Sequence, residues 1–329
     1  MRLHHARVKV WLIVVTLTGQ TGVAVSRSSE RAGGMQPAQA PSAQELMDTV
    51  KLLASPDLEG RRTGTPGNAK ARRWIVEQFQ KANLAPANGN FEVPFTFTRN
   101  TVDSKGVNVV GICRGTGVKP GDTAKSSGPL MVISAHYDHL GVRDGSTYHG
   151  ADDNASGVAV VLALAKYCQR TPWTHDAVFV AFDAEEQGLQ GARAFVAAPP
   201  VAKERIALNV NLDMVSRSAT NELYLAGTYH RPALKALLEP VAARSQIKLL
   251  FGHDKPKDQA GEVDDWTPQS DHGAFHAAGI PFVYFGVEDH PDYHKPTDTA
   301  EKIDPTFFAR VAQTVLDAVT VLDGAIPLK

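Results

Sequence analysis

Residues that can bind metal ions follow four apolar runs of the sequence. The runs cover residues 130–135, 177–182, 208–212 and 280–285. The residues that come next are, in the same order, His136-Tyr137-Asp138-His139, Asp183-Ala184-Glu185-Glu186, Asp213-Met214, and a loop with Asp289, His290, Asp292, Tyr293 and His294. Such apolar runs are typical of strands buried on both faces of a sheet. Ligands of open α/β sheets bind beyond the carboxyl ends of the strands, so we expect these side chains to meet there.

The residue types indicate a metal site with nitrogen and oxygen ligands. Imidazole favours zinc and its neighbours, whereas oxygen ligands alone suit magnesium or calcium. A further segment, Gly150-Ala151-Asp152-Asp153-Asn154-Ala155-Ser156-Gly157, adds two carboxylates just before a predicted helix. One tetrahedral zinc ion does not accept so many carboxylates, but two ions that share a bridging carboxylate would neutralise them.

Alternating strands and helices must position these residues. Besides the four apolar runs, strands are predicted at 91–98 and 107–112. Helices are predicted after the capping box Ser42-Ala43-Gln44-Glu45, around 71–79, over 158–165 and from about 305 to 322. This order predicts an α/β fold, a three-layer sandwich in which helices flank a central mixed, mostly parallel sheet.

Composition limits the class of protein. The 329 residues are 43% hydrophobic and 21% charged, as in ordinary globular proteins. Lys and Arg number 34 and Asp and Glu number 35, so the chain lacks the positive excess that nucleic-acid binding needs. The two cysteines, Cys113 and Cys168, exclude a cysteine-rich zinc module, and the sequence leaves open whether they pair.

The amino terminus predicts export. Arg2, Arg7 and Lys9 precede a short apolar run, and Ala24-Val25-Ser26 offers the small residues of a cleavage site. The run is too short for a membrane-spanning helix. We therefore expect a signal peptide at 1–26, a flexible leader at 27–41 and a single catalytic domain at 42–329. The mature protein would be secreted or periplasmic, with no attachment to a membrane.

Six ordered motifs resemble those of the secreted dizinc aminopeptidases. Their zinc peptidase clan, MH, includes bacterial leucyl aminopeptidases, glutaminyl cyclases and the transferrin-receptor ectodomain. The motifs are His136-Tyr137-Asp138, the segment 150–157, Glu185-Glu186-Gln187-Gly188-Leu189-Gln190-Gly191, Asn211-Leu212-Asp213-Met214, Ser270-Asp271-His272 and Tyr293-His294-Lys295-Pro296-Thr297-Asp298-Thr299. The resemblance extends from about residue 58 to residue 303.

The resemblance implies a role for each matching residue. The implied metal ligands are His136 and Asp213 for one zinc ion, Glu186 and His294 for the other, and Asp153 as the bridge. The implied catalytic residues are Glu185, as general base, and Tyr293, which would stabilise the oxyanion. Asp138 would hold the second ring nitrogen of His136. The other histidines of these segments, expected beside the site or on the surface, are His139, His149, His272 and His290.

The implied reaction removes amino-terminal residues from peptides. Water activated by two zinc ions would attack the scissile carbonyl, and Glu185 would carry the proton to the leaving amine. The free α-amine of the substrate would face the acidic cluster. Ser270-Asp271-His272 is expected to begin the helix that holds Phe275, because three consecutive residues do not form a serine-hydrolase triad.

Other functions on the same scaffold stay open. A glutaminyl cyclase uses a single zinc ion, whereas both ligand sets look complete here. A dipeptidase or carboxypeptidase needs a positive group for the substrate carboxylate, which Arg217 or Arg231 could supply. A non-catalytic binding module would lack ligands or the base, and none is missing. Candidate walls of the side-chain pocket are Met214, Tyr229 and Phe285. The sequence does not indicate the oligomeric state.

Overall fold

The computed structural model describes residues 41–117, 128–261 and 263–328. Within them, nine strands form one sheet: β1 (Ala85–Pro86), β2 (Glu92–Arg99), β3 (Val102–Cys113), β4 (Leu130–His136), β7 (Asp176–Phe182), β8 (Ile206–Leu212), β9 (Glu222–Ala226), β10 (Lys248–Phe251) and β11 (Phe282–Gly286). Two short strands, β5 (Gly141–Arg143) and β6 (Ser146–Tyr148), form a separate hairpin. The predicted signal peptide and residues 27–40 of the predicted leader lie outside the described residues.

The sheet is mixed, with a parallel centre. Its strand order is β1-β3-β7-β4-β8-β11-β9-β10, and β2 pairs with β3 as well. Strands β7, β4, β8 and β11 run parallel to one another. Strand β3 is antiparallel to β7, and β9 is antiparallel to β11. The four central strands are those that the sequence predicts as apolar runs, and their carboxyl ends therefore lie at one edge of the sheet.

Helices and short turns connect the strands. The helices are α1 (Ala43–Leu53), α2 (Pro66–Lys81), α3 (Gly157–Arg170), α4 (Gln190–Ala197), α5 (Pro232–Arg244), α6 (Lys257–Ala260), α7 (His272–Ala277) and α8 (Pro305–Asp323). The Ser42 hydroxyl accepts the Glu45 main-chain N–H at 3.2 Å, which confirms the predicted cap of α1. Helix α2 begins at Pro66, a residue whose fixed φ suits the first helical position.

Apolar side chains fill both faces of the sheet. Along β4, Met131, Ile133 and Ala135 pack into the larger core, which includes residues of α1, α2, α3, α5 and α8. The alternate residues Leu130 and Val132 pack into the second core, with Phe195 of α4 and Phe275 of α7. Successive residues of a strand point to opposite faces, so the apolar run of β4 fills both cores. The predicted fold class, a mixed sheet flanked by helices, is confirmed.

A disulfide joins the sheet to a helix. Cys113, the last residue of β3, is bonded to Cys168 of α3, with 6.4 Å between their Cα atoms. This resolves the pairing that the sequence leaves open. Separately, no helix within the described ranges has the length and apolar character needed to cross a membrane.

Candidate metal centre

Histidine and carboxylate side chains meet at the carboxyl edge of the central strands. His136 is the last residue of β4, and its Nε2 atom lies 3.1 Å from Oδ1 of Asp213, directly after β8. The same Nε2 atom lies 3.3 Å from Oδ1 of Asp153. These three side chains are buried and offer ligand atoms close enough to share one metal ion.

A second group of possible ligands lies on the other side of Asp153. His294 Nε2 is 3.1 Å from Asp153 Oδ2 and 3.5 Å from Glu186 Oε2. His139 also approaches, with Nδ1 2.8 Å from Glu186 Oε1 and 3.7 Å from Asp153 Oδ2. All five residues predicted as ligands are therefore brought together. His139, which is not one of the five predicted ligands, lies among them as well.

The donor atoms fit a divalent cation such as zinc. Atoms about 2.0–2.1 Å from a tetrahedral zinc ion are about 3.3–3.4 Å from one another. The contacts of His136 and His294 with Asp153, Asp213 and Glu186 span 3.1–3.5 Å. Both ring nitrogens of His139 and Oε1 of Glu186 are buried, and within the described part of the chain none of them makes a hydrogen bond of favourable geometry, although His139 Nδ1 and Glu186 Oε1 are 2.8 Å apart. Because buried polar atoms are normally satisfied, such atoms are available for coordination.

The two residues predicted to act in catalysis face the same cavity. Glu185 Oε2 is 4.0 Å from His136 Nε2. The Tyr293 ring stacks on the His294 ring, with 3.9 Å between centroids. A cavity of about 430 Å³ is lined by both residues and by Asp153, Glu186, Asp213, Met214 and His294, among others.

Burial changes the ionisation of these groups. Burial, together with Asp153, raises the pKa of Glu186 to about 8, and burial raises the pKa of Glu185 well above its usual value. Burial opposes ionisation of Asp153, but the neighbouring His139, His136 and His294 outweigh it and hold the pKa of Asp153 well below its usual range. A bound cation would favour the charged form of every carboxylate here.

Asp138 connects His136 to Glu185. The main-chain oxygen of Asp138 lies 3.1 Å from His136 Nδ1, while its carboxylate oxygen Oδ1 is 3.7 Å away. That same Oδ1 accepts the main-chain N–H of Glu185 at 3.0 Å. The main chain of Asp138 makes the shorter contact with His136, and the Asp138 carboxylate lies between this histidine and the segment that carries Glu185.

The aspartates of the segment 150–157 have different surroundings. Asp152 Oδ1 accepts the main-chain N–H and the hydroxyl of Ser216, at 2.8 and 2.6 Å, and Asp152 Oδ2 lies 3.2 Å from His290. Asp152 is therefore engaged away from the ligand cluster, and Asp153 is the one that faces it. Gly150, at φ +57°, allows the tight turn, because a Cβ there would lie 2.2 Å from the main-chain oxygen of Asp153.

Ser270 belongs to the support of Asp213. The Ser270 hydroxyl donates to Asp213 Oδ2 at 2.7 Å, and the Tyr284 hydroxyl donates to the main-chain oxygen of Asp213 at 3.2 Å. His272 Nε2 lies 2.9 Å from the main-chain oxygen of Trp266. Helix α7 begins at His272, as the sequence predicts, although the Asp271 side chain makes no capping hydrogen bond. Ser270 and His272 therefore make separate contacts, and the Asp271 carboxylate hydrogen-bonds to neither of them, so the three residues do not form a triad.

Arg61 has a structural role for which its sequence position gives no indication. Its side chain is fully buried and donates to the main-chain oxygens of Tyr137, Leu53, His149 and Gly150. Burial lowers the pKa of Arg61 to about 10. It holds together the segments that carry His136 and Asp153. Arg61 precedes α2, and its neighbours in the sequence give no signal of this contact, because its partners are main-chain atoms.

Other predicted residues lie away from the cavity. Phe285 is fully buried in the core, and Tyr229 lines a different cavity, so of the three candidate walls Met214 alone lines this one. Arg217 donates to Asp292 at 2.8 Å, and Arg231 donates to the main-chain oxygen of Leu328 at 2.9 Å. Neither arginine lines the cavity. His149 Nδ1 lies 2.9 Å from the main-chain oxygen of Ala54.

The fold is an α/β sandwich with a mixed central sheet, similar to that of solved zinc aminopeptidases. A sequence model of peptidase family M28 matches residues 117–319, more than half of the chain. The chain therefore belongs to peptidase family M28.

Relatives and solved structures agree with this assignment. Aminopeptidase YwaD of Bacillus subtilis is 28% identical over 281 residues, which are 80% of this chain and 53% of YwaD. The probable lipoprotein aminopeptidase LpqL of Mycobacterium tuberculosis is 30% identical over 206 residues, which are 55% of this chain and 40% of LpqL. The chain thus spans about half the length of these curated relatives.

Two crystal structures share the fold. BSAP, a zinc aminopeptidase from Bacillus subtilis, has a TM-score of 0.66 at 18% identity, over 86% of this chain and 96% of that chain. Porphyromonas gingivalis glutaminyl cyclase has a TM-score of 0.67 at 20% identity, over 86% of this chain and 99% of that chain. At such identities the likeness concerns the fold, so the activity has to be argued from the site.

Proposed function

We propose that this protein is a secreted dizinc aminopeptidase. One observation carries the proposal: the two carboxylate oxygens of Asp153 face different histidines, His136 on one side and His294 on the other. A carboxylate in this position suits a bridge between two metal ions. Membership of peptidase family M28 and the zinc aminopeptidase fold support the same reading.

The proposed ligands are those that the family resemblance implies. His136 and Asp213 would hold one zinc ion, and Glu186 and His294 would hold the other. Asp153 would bind both ions. His294 is preferred to His139 because its Nε2 atom lies within 3.5 Å of both Asp153 and Glu186 and faces the cavity.

The protein side chains would supply proton transfer and hydrogen bonding. Zinc, when bound, lowers the pKa of water and polarises a carbonyl group. Glu185 would accept a proton from the attacking water and deliver it to the leaving amine. Burial and nearby carboxylates raise the pKa of Tyr293, so its hydroxyl keeps its proton at neutral pH and can donate to the developing oxyanion.

The acidic cluster favours substrates with a free amino terminus. Asp153, Glu185, Glu186 and Asp213 line one cavity, and carboxylate oxygens that the metal ions leave uncoordinated would accept hydrogen bonds from the α-amine of a substrate. The chemistry therefore suits removal of the first residue of a peptide.

Export of the mature chain is part of the proposal. The disulfide between Cys113 and Cys168 supports it, since disulfides persist in oxidising compartments and are rare in the cytosol. The predicted signal peptide at 1–26 would direct this export.

A peptide panel tests the activity. Zinc-loaded mature protein is incubated with peptides that have either a free or a blocked amino terminus, including one that begins with Gln, and the products are read by mass spectrometry. Stepwise loss of single residues from the free amino ends alone is expected. Bound zinc is measured in the same preparation, and about two equivalents per chain are expected.

Other products would change the assignment. Loss of ammonia from the Gln peptide without cleavage would make the protein a glutaminyl cyclase. Removal of residues from peptides with a blocked amino terminus as well as from those with a free one would make it a carboxypeptidase. Absence of any product would contradict the peptidase assignment.

A further inference from the structure

Two arginines line the cavity that holds the acidic cluster. Arg99 and Arg193 form part of its wall, together with Glu185, Glu186 and His294. Both arginine side chains are exposed at the mouth. Neither residue belongs to the six motifs that resemble the aminopeptidase family.

A tight hairpin presents Arg99 to the site. Arg99 is the last residue of β2 and pairs with Val102 of β3 across a turn in which Asn100 and Thr101 have φ of 49° and 65°. Next to the turn, the Thr98 hydroxyl donates to Asp103 Oδ1 at 2.7 Å. Arg99 then reaches across to donate to the main-chain oxygen of Glu186 at 3.3 Å. This contact spans 87 positions and holds the guanidinium beside a proposed ligand.

Arg193 approaches from a different element. It lies on α4, which follows the Glu185-Glu186 segment along the chain. Among the residues that the structure describes, neither Arg193 nor Arg99 forms an ion pair, although four carboxylates line the same cavity. The guanidinium groups therefore keep donors for a ligand.

The charge balance of the cavity indicates that this ligand is an anion. The four carboxylates Asp153, Glu185, Glu186 and Asp213 would be neutralised by the two divalent cations of the proposed function, on which this inference rests. The charges of Arg99 and Arg193 would then stay uncompensated. A guanidinium binds a carboxylate through two parallel hydrogen bonds, which a lysine cannot do.

We propose that Arg99 and Arg193 form a subsite for a substrate carboxylate, so that the protein favours short peptides with a negative charge near the amino terminus. This carboxylate has two possible sources: the carboxyl terminus of a di- or tripeptide, or an acidic side chain near the amino end of a longer peptide. Arg217 and Arg231, the candidates from the sequence, are engaged elsewhere.

Two matched peptide pairs separate these sources. The first pair is Leu-Gly-Gly and its carboxyl-terminal amide, and the second is Leu-Asp-Gly-amide and Leu-Asn-Gly-amide. For at least one pair, we expect kcat/KM to be about tenfold higher for the charged member, mainly through KM. This ratio should fall toward one in the double variant Arg99→Gln/Arg193→Gln, and also in wild-type protein at about 0.5 M salt, because exposed charges are screened.

A matched variant controls for loss of charge alone. Arg73 is exposed on α2 and does not line the cavity, so Arg73→Gln should keep the wild-type ratio. Preference within the first pair assigns the subsite to a carboxyl terminus, and preference within the second assigns it to an acidic side chain. Equal kcat/KM within both pairs for wild-type protein would overturn the proposal, as would a preference that the double variant retains.

A binding measurement distinguishes failure of this proposal from failure of the proposed function. Calorimetry on zinc-loaded Glu185→Gln protein gives the Kd of the same peptides without turnover. Tighter binding of a charged member, lost when Arg99 and Arg193 are also replaced, would support the subsite even if wild-type protein cleaves no peptide. Equal affinity within both pairs, or no binding of any peptide, would overturn it.

Discussion

The carboxylate of Asp298 accepts the main-chain N–H of Asp153 at 3.2 Å, although the two residues are 145 positions apart. It also accepts the N–H of Asp152, at 3.0 and 3.2 Å to its two oxygens. Asp298 lies four residues after His294 in the same motif. One loop therefore supplies a proposed ligand and orients the backbone that carries the proposed bridge.

Replacement of Asp298 should weaken metal binding without removing a ligand. In Asp298→Asn the side chain keeps one acceptor oxygen but loses its charge and its second acceptor, so the turn at Asp153 is held less firmly. Loss of such supporting contacts typically lowers metal affinity about 10–100-fold. Competition with a chromogenic chelator measures the zinc affinity. Exposed Asp57→Asn is the control, and an unchanged affinity in Asp298→Asn would contradict this role.

Glu185→Gln should separate turnover from metal binding. The amide keeps the size of the side chain but cannot accept the proton of the attacking water, so kcat should fall roughly 10²–10⁴-fold. Zinc content should stay at the wild-type value, since Glu185 is not a proposed ligand. Glu77→Gln, on the exposed surface of α2, serves as the control. A near-normal kcat would remove Glu185 from the mechanism.

The second zinc ion should depend on His294 rather than His139. His294 is 39% exposed and faces the cavity, whereas His139 is fully buried and lies 3.7 Å from Asp153. We expect His294→Gln to lose about one of two zinc equivalents. A zinc ion held by three protein ligands is bound much more weakly when one of them is removed. His139→Gln should keep both. Zinc content after gel filtration gives the answer, and the reverse pattern would make His139 the ligand.

The sequence predicts the centre of the sheet and the site at its edge better than the periphery. Strands β4, β7 and β8 are buried on both faces, and such strands must be continuous apolar runs. Each is followed by the residues that contact one another in the cluster, because parallel strands end at the same edge. Strands β9 and β10 and helix α5 are not predicted. The two strands are short and partly exposed, and their burial alternates too briefly to be distinguished from a loop. Helix α5 contains Pro240, a residue that normally ends a helix, and its buried residues are Leu234, Leu238 and Val241.

Supporting contacts could not be read from the sequence. The carboxylate of Asp183 accepts hydrogen bonds from Thr63, Asn68 and the main-chain N–H of Val107, which lie 120, 115 and 76 positions away. Arg61 similarly binds carbonyl oxygens, which every residue possesses. Spacing identifies residues that share an element, whereas these contacts join elements whose proximity is set by the whole fold.

The disulfide should contribute measurably to stability. Cys113 and Cys168 are 55 positions apart in the sequence. A disulfide that closes such a loop stabilises the folded protein by about 2–4 kcal/mol, largely by restricting the unfolded chain. The double variant Cys113→Ala/Cys168→Ala should lower the free energy of unfolding by that amount in urea titrations. A reducing agent should destabilise wild-type protein and leave the variant unchanged. Free thiols in the non-reduced, exported protein would contradict the bond.

His272 should make folding sensitive to acid. Burial lowers the pKa of His272 to about 3 from an unfolded value near 6.5. Between these pH values the unfolded chain binds a proton that the native protein does not, so stability rises with pH across this window and is lost on acidification. Within this window His272 contributes about 1.4 kcal/mol per pH unit to the slope of the free energy of unfolding against pH.

The variant His272→Phe tests this contribution. Its ring can keep the packing against Phe282 and Tyr284, whose centroids lie 4.8 and 4.4 Å from that of His272, but it cannot titrate. The free energy of unfolding of each protein is measured in urea at several pH values from about 4 to 8. Below about pH 6, its slope against pH should be shallower in the variant than in wild-type protein by about 1.4 kcal/mol per pH unit. Above pH 7 both proteins should show parallel curves, because His272 is then neutral in both states. Parallel curves throughout would show that His272 does not carry the acid sensitivity.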